Sequence, residues 1–183
     1  SWIHSKVPET ATEKAKDLVR MAVARAETLH PLKERVIPVN KQALVIGGGV
    51  AGMNAALGLG RQGFKVFLVE KAAELGGMAR NLHHTIEAKN IRAYLDELIG
   101  RVQAEPNVEI LSDARIVGFS GYKGNFSTEV AVGGETDPRT LKHGIIIVAT
   151  GATEYIPTEY LYVESDRVVT QVALSDRIAE KGA

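Results

Sequence analysis

The stretch Gln42–Gly52, QALVIGGGVAG, decides the fold. Ala43 to Ile46 is a short apolar run of strand type. It ends in Gly47-Gly48-Gly49, and Val50 and Ala51 lead to Gly52, completing G-x-G-x-x-G through Gly47, Gly49 and Gly52. Strand, glycine turn and helix in that order make a cradle for a nucleotide pyrophosphate. Gly47 allows the tight turn off the strand, Gly49 lets the backbone approach the phosphates, and Gly52 lets the helix pack close to the strand. The phosphates then sit over free N–H groups at a helix N-terminus, where the macrodipole favours negative charge.

Downstream, a helix is expected from Val50 to Gln62, stopping at Gly63. Lys65 to Glu70, KVFLVE, is a second strand rich in β-branched and aromatic residues. Glu70 ends it, about 20 residues beyond the glycine motif, the place of an acid that accepts hydrogen bonds from both ribose hydroxyls of an adenosine. Its charge disfavours a 2′-phosphate there. Helical spacing of Ile91, Tyr94, Leu95, Leu98 and Ile99 predicts a helix over Ala88 to Gln103, followed by a short strand from Val108 to Leu111. This βαβαβ order predicts a parallel sheet with right-handed crossovers.

The texture then changes. Ala114 to Ser120, Asn125 to Val132 and Thr140 to Thr150 read as strands separated by Gly121-Tyr122-Lys123-Gly124 and Gly133-Gly134. The spacing predicts an antiparallel meander in place of a helical crossover. Its last run, GIIIVATG, is apolar enough to end as a buried central strand. Thr153 to Tyr162, with Pro157, reads as coil packed by Tyr155, Tyr160 and Tyr162, with contact to a partner the alternative. Thr170 to Lys181 is a last amphipathic helix capped by Thr170.

Upstream, Ser1 to Pro8 reads as loose. Thr10 to Leu29 reads as a helix opened by a Thr10–Glu13 capping box, with Leu18, Met21, Ala22 and Ala26 on one stripe. His30 to Asn40, with Pro31 and Pro38, is a linker. The chain thus divides into a helical arm and linker over 1–40 and a nucleotide-binding domain over 41–183. The stripe is expected to pack on its own domain; docking to a neighbouring domain or subunit is the alternative.

With 183 residues, there is room for one domain with a tail. Net charge is zero, which supports neither a nucleic-acid partner nor a charge-driven membrane partner. There is no cysteine, so this chain offers no disulfide, thiolate nucleophile or cysteine-ligated iron–sulfur cluster of its own. The lack of cysteine fits a reducing compartment, and a cytoplasmic setting is expected. No apolar run has transmembrane length.

The residues after Glu70, KAAELGGMAR, bear on which dinucleotide binds. Gly76-Gly77 lets a loop run against a cofactor, with Met78 beside it and Arg80 close enough to neutralise a pyrophosphate or carboxylate; the alternative for Arg80 is a surface ion pair. E-K-x-x-x-x-G-G after the second strand, a meander, and then Val148-Ala149-Thr150-Gly151-Ala152 resemble the FAD domain of two-dinucleotide-binding flavoproteins, the glutathione-reductase and thioredoxin-reductase group. The resemblance implies a Rossmann-like α/β domain. It also implies a pyrophosphate cradle at Gly47, Gly49, Val50, Ala51 and Gly52, with Glu70 and Lys71 at the ribose. Gly77, Met78 and Arg80 fall towards the pyrophosphate or ribityl chain. The strand near Ile116 meets adenine through its backbone, and Ala149, Thr150 and Gly151 close the pocket.

A longer match takes in ATEKAKDLVRMAVARA of the arm, ALVIGGGVAGM, FLVEKAAELGGMARNLHHT and ATGATEYIPTEYLY. These are similar to the A-type polypeptide of heterodisulfide reductase and its relatives in anaerobes. That resemblance implies an FAD-binding electron-transfer subunit, relaying electrons between partner iron–sulfur centres in a complex of subunits, with oligomerisation possible. The family's cysteine clusters, its second nucleotide-binding half and its later flavin-side motif are absent. Ser1-Trp2-Ile3-His4 also reads like a start within a longer chain. The expectation is an N-terminal portion with a complete AMP half and an incomplete isoalloxazine half, inactive by itself. The alternatives are a module for NAD or another adenosine ligand without redox chemistry, and a cofactor-free fragment.

Other candidates give less. His83-His84 could be flavin-side acid–base groups, but adjacent residues of an extended stretch point to opposite faces and make a poor chelate. Ser127, Ser165 and Ser175 lack a nucleophile-elbow context. No catalytic residue and no metal ligand is named.

Overall fold

The computed structural model describes residues 6–34, 36–87, 89–134 and 137–181. Ser1 to Ser5, whose reading bore on where the chain starts, lie outside the described residues. The chain falls into two compact units, one up to Ile37 and one from Pro38.

The first unit carries α1, Pro8–Glu27. It starts two residues before the expected Thr10 cap. Pro8 sits in the first turn, where its fixed φ suits the helix and its missing N–H costs nothing. No side chain caps this end, and the hydroxyl of Thr12 donates to Pro8 O at 2.9 Å. Leu18, Met21, Ala22 and Ala26 are all exposed, and no residue of α1 is buried. Within its own unit the stripe packs on nothing that buries it.

The second unit is built on a parallel sheet of β1 (Ala43–Ile46), β2 (Val66–Val69), β3 (Val108–Leu111) and β7 (Ile145–Val148), in the order β3-β2-β1-β7. All three pairings are parallel. Successive side chains alternate between the faces of the sheet. Val45 and Leu68 enter one core with Met53, Leu57, Leu95, Leu98 and Val102 from α2 (Val50–Arg61) and α3 (Ile91–Gln103). Leu44, Phe67 and Val69 enter a second core with Val130 and Leu141 from the meander. Helices thus cover one face and antiparallel strands the other. Strands buried on both faces need the unbroken apolar runs ALVI and VFLV.

α3 begins at Ile91, where Asn90 accepts from Ala93 N at 3.0 Å and caps the first turn. Ala88, the expected start, lies outside the described residues. The meander comprises β4 (Ala114–Tyr122), β5 (Asn125–Val132) and β6 (Arg139–His143).

The run expected as one strand from Thr140 to Thr150 is two strands in two sheets. β6 pairs with β5, whereas β7 pairs with β1. The switch is Gly144. A Cβ there would lie 1.9 Å from Asn40 O, and its N–H donates to Gln42 O at 2.9 Å. No other residue fits so close to the strand entering β1. The expectation of a buried central strand also fails. Among the described residues β7 is the edge of the parallel sheet, and Ile145 and Val148 are exposed.

One polar pair is buried where the meander meets this switch. His143 Nε2 lies 2.8 Å from Thr128 Oγ1, and Nδ1 lies 3.1 Å from Ile145 O. A carbonyl only accepts, so Nδ1 carries the proton and Nε2 accepts from the threonine. Burial holds the His143 pKa below that of a free imidazole, opposed in part by the Ile145 bond. The closing helix, α4, spans Gln171–Lys181, and Thr170 Oγ1 accepts from Ala173 N at 3.3 Å as expected of its cap. No helix among the described residues is long and apolar enough to cross a membrane.

Candidate functional site

β1 ends at Ile46, and the chain turns through Gly47, whose φ of +110° excludes a side chain at low cost. A Cβ at Gly47 would lie 2.3 Å from Ala149 O, and one at Gly52 would lie 1.8 Å from Gly47 O. Packing therefore demands both glycines. Gly49 is different. Its φ of −74° suits any residue, and a Cβ there would meet no protein atom within 4 Å. The helix ladder opens with Met53 N–H donating to Gly49 O at 2.9 Å. The N–H groups of Val50, Ala51 and Gly52 lie ahead of it, at the positive end of α2.

Gly76-Gly77 comes to this turn as a second wall. Gly76 N–H donates to Gly48 O at 2.8 Å, Gly49 and Gly76 form a parallel bridge, and a Cβ on Gly77 would lie 3.3 Å from Gly49 Cα. Gly76 and Gly77 have φ of +125° and +53°. Met78 and Arg80 follow on a 3₁₀ turn over Gly77–Asn81. Met78 is partly exposed and contacts Asn81 Nδ2 through its sulfur. Arg80 is turned onto its own loop: Nε donates to Leu75 O at 2.6 Å, and an ion pair of 2.9 Å joins it to Glu74. The surface ion pair, one of the two sequence readings, is the arrangement observed.

Glu70, only 7% exposed, places its carboxylate under the turn. One oxygen accepts from Gly48 N at 2.5 Å and the other from Ala72 N at 2.8 Å. Each carboxylate oxygen has a second lone pair, so acceptor capacity remains for a hydroxyl. Lys71 is exposed beside it. Glu70 O accepts from Ala114 N and Ala72 O from Asp113 N, both at 2.9 Å, which fixes β4 next to the acid. Ile116 lies on this strand, opposite Val130. The register slips between Ile116 and Gly118, leaving Val117 as the extra residue of a bulge, with backbone groups outside the ladder.

On the other side, Ala149 N donates to Ile46 O at 2.8 Å, so the exit of β7 lies against the exit of β1. Thr150 is exposed, and Gly151 has φ +66°. The structure thus gathers Gly47–Gly52, Glu70, Gly77 and Ala149 around one turn. It holds Ile116 on the strand tied to Glu70, and it keeps the Arg80 guanidinium on Glu74.

Sequence reasoning missed Gly48 and Leu75. A Cβ on Gly48 would lie 2.5 Å from Leu75 Cδ2 and 2.9 Å from Glu70 Cβ, so this glycine makes room for the acid. The available signal was the middle glycine of the run, which G-x-G-x-x-G does not require.

The residues present fit a dinucleotide. A Cβ at Gly49 would meet open space, α2 opens on this residue with N–H groups that have no partner within the helix, and the Glu70 carboxylate keeps acceptor capacity beneath the turn, which are the features a pyrophosphate and a ribose need.

His83 and His84 line a hollow against α4. His83 Nε2 is 2.8 Å from Asp176 Oδ1 of α4, and the hollow, of about 270 Å³, lies between His83–Thr85 and that helix. No cluster of acids, histidines or cysteines suited to a metal occurs among the described residues.

The profile of the pyridine nucleotide-disulphide oxidoreductase family matches residues 41–177. The A-type polypeptide of the H(2):CoB-CoM heterodisulfide,ferredoxin reductase of Methanothermobacter marburgensis is 39% identical over 160 residues, 87% of this chain and 24% of that protein. A protein of Archaeoglobus profundus, named as similar to the same polypeptide of heterodisulfide reductase, is 40% identical over 131 residues, 71% of this chain and 19% of its own. The chain therefore spans 16 to 24% of the length of these curated relatives. Among solved structures, L-proline dehydrogenase from P.horikoshii superposes with a TM-score of 0.56 at 26% identity, covering 71% of this chain and 26% of that one. Thioredoxin reductase from Lactococcus lactis superposes with a TM-score of 0.52 at 20% identity, covering 64% and 38%, a likeness of fold alone.

Proposed function

The chain belongs to the pyridine nucleotide-disulphide oxidoreductase family, and on that premise we propose that it is the FAD-binding part of an electron-transfer subunit of the heterodisulfide reductase A type. The observation that carries this is Gly49. Neither its backbone angles nor its protein neighbours require a glycine, a side chain there would stand in open space, and this is the residue on which α2 opens. A phosphate supplies the reason for glycine there.

The roles follow from the placement. Gly49 and the N–H groups of Val50, Ala51 and Gly52 hold the pyrophosphate by hydrogen bonds and the helix dipole. Glu70, oriented by Gly48 and Ala72, accepts the adenosine ribose hydroxyls, with Lys71 beside it. Gly77 and Met78 line the far wall, and Arg80 reaches the pyrophosphate only by exchanging Glu74 for it. The bulge after Ile116 offers backbone groups to adenine, and Ala149, Thr150 and Gly151 close the pocket. When bound, the flavin supplies the capacity to take up and release electrons; the protein positions it and sets its surroundings.

The relatives are named as one subunit among several, which supports work within a multi-subunit complex. One of them is named an iron-sulfur subunit. This chain contains no cysteine, so cluster ligands of that kind would come from the rest of the parent chain or from partners. A cytoplasmic setting belongs to this reading and rests on the same lack of cysteine.

The test uses the full-length polypeptide containing this chain. Its absorption spectrum should show flavin bands, and Gly49→Ala should weaken FAD binding about tenfold or more, the loss expected when one well-placed phosphate contact is blocked. Stability should change by no more than about 1 kcal/mol, the scale of an N-cap substitution. A colourless protein carrying NAD, or unchanged FAD affinity in the variant, would overturn the reading.

A further inference from the structure

We propose that the segment after β7, residues 154–166, is a docking surface for a separate protein that presents a basic, apolar face. The segment reads EYIPTEYLYVESD and contains no lysine or arginine, in a chain whose 22 basic and 22 acidic residues balance as a whole. Its carboxylates are Glu154, Glu159, Glu164 and Asp166. Its apolar side chains stand in solvent: Tyr160 is 85% exposed and Val163 78%, with Tyr155, Ile156 and Leu161 also exposed. Tyr160 does not pack this coil as expected, whereas the exposed Tyr155 donates its hydroxyl to Glu159 of the same coil at 3.3 Å.

The backbone adds an independent sign. Tyr160 and Leu161 are consecutive non-glycine residues with φ of +58° and +61°. This left-handed pair is held by turn bonds from Tyr162 N to Glu159 O and from Ser165 N to Leu161 O. Such conformations are costly for residues with a Cβ and cluster where function requires them. Here the strain is not repaid by burial, because it holds Tyr160 and Leu161 in water. Exposed aromatic and aliphatic anchors in a segment that carries four carboxylates, of which Glu154 accepts from Val172 N at 3.2 Å and Glu159 from Thr158 N at 3.0 Å, match a partner whose apolar pocket is rimmed by lysine and arginine. Charge sets the sign of the partner, and the anchors set where it grips.

The proposal rests on the reading of the chain as one subunit of a complex. Its test uses that complex, purified with the full-length polypeptide. A photo-crosslinking benzoylphenylalanine placed at position 160 should join to another polypeptide, within a stretch of net positive charge. Tyr160→Gly should weaken assembly about tenfold or more, as loss of an interface anchor does. Its thermal stability should hold or rise, because glycine tolerates the left-handed angle. A merely structural tyrosine would lower stability instead. Glu159→Gln with Glu164→Gln should flatten the salt dependence of assembly, and provides the readout if Tyr160→Gly misfolds. Crosslinking to the same chain, to a second copy or to an uncharged stretch, or assembly indifferent to both variants, would overturn the proposal. Flavin content is read in parallel. Its loss in the wild type would count against the FAD reading alone, and its retention with indifferent assembly would count against the docking surface alone.

Discussion

The turn after β1 and the segment after β7 leave the same end of neighbouring parallel strands, yet they are built on opposite terms. In the turn, every left-handed residue is glycine: Gly47, and Gly76 and Gly77 facing it. In the segment, Tyr160 and Leu161 adopt the left-handed conformation with side chains attached, at roughly 1–2 kcal/mol each. Gly47 and Gly52 are demanded by neighbouring backbone, whereas Tyr160 and Leu161 have their side chains in water. A conformation that packing explains is architecture, and function is to be sought where packing gives no reason. Gly49 in the turn and the strained pair in the segment are those places, and they carry the functional proposals.

The contrast is sharpest in stability. Gly52→Ala forces a methyl group onto Gly47 O, and it should destabilise the second unit by about 3 kcal/mol or more, the upper range for overpacking. Val163→Ser in the segment should stay within about 0.5 kcal/mol, as an exposed substitution does. Thermal unfolding of both variants checks the pair, and equal losses would erase the contrast.

Glu70→Ala comes next. It removes the acceptor of Gly48 N–H and Ala72 N–H and the proposed ribose contact together. FAD affinity should fall by roughly 1.5–3 kcal/mol, about ten- to a hundred-fold. A fluorescence titration with FAD measures it, and unchanged affinity would remove Glu70 from the site.

The smallest effect concerns the end of β6, just before the switch into β7. His143 is buried and neutral, with its folded pKa below the free value of 6.5. Between the two values the unfolded chain binds a proton that the folded chain does not, so stability should fall as pH drops below about 6.5. Urea midpoints at pH 7.5 and pH 5.5 test this, and His143→Gln should lessen the difference. An unchanged pH dependence in that variant would place the acid sensitivity elsewhere.

The elements are largely legible in the residues. Strands β1, β2 and β3 follow from short runs of apolar and β-branched side chains, and α3 follows from Ile91, Leu95 and Leu98 at helical spacing. The start of α1 departs from expectation because Pro8 at a first turn outweighs the Thr10–Glu13 pattern. Thr140 to Thr150 departs from it for a different reason. A run of apolar residues carries no mark of the sheet that receives it, and Gly144 means a crossing only once Asn40 is known to lie against it. The site divides in the same way. The glycine motif and Glu70 announce themselves locally, but the bond from Gly76 to Gly48 and the ion pair that holds Arg80 depend on how a distant loop folds.

Local sequence is enough to set the order of strand, glycine turn and helix, the acid at the end of β2 and the second glycine pair, because these depend on backbone freedom and on period. It took the folded chain to single out Gly49 in the turn as facing open space, to anchor Glu70 beneath Gly48, and to leave Tyr155 and Tyr160 in water. Those are facts about which atoms lie nearby. Neighbours distant in the chain are set by packing the sheet between its two cores, and no local pattern encodes them.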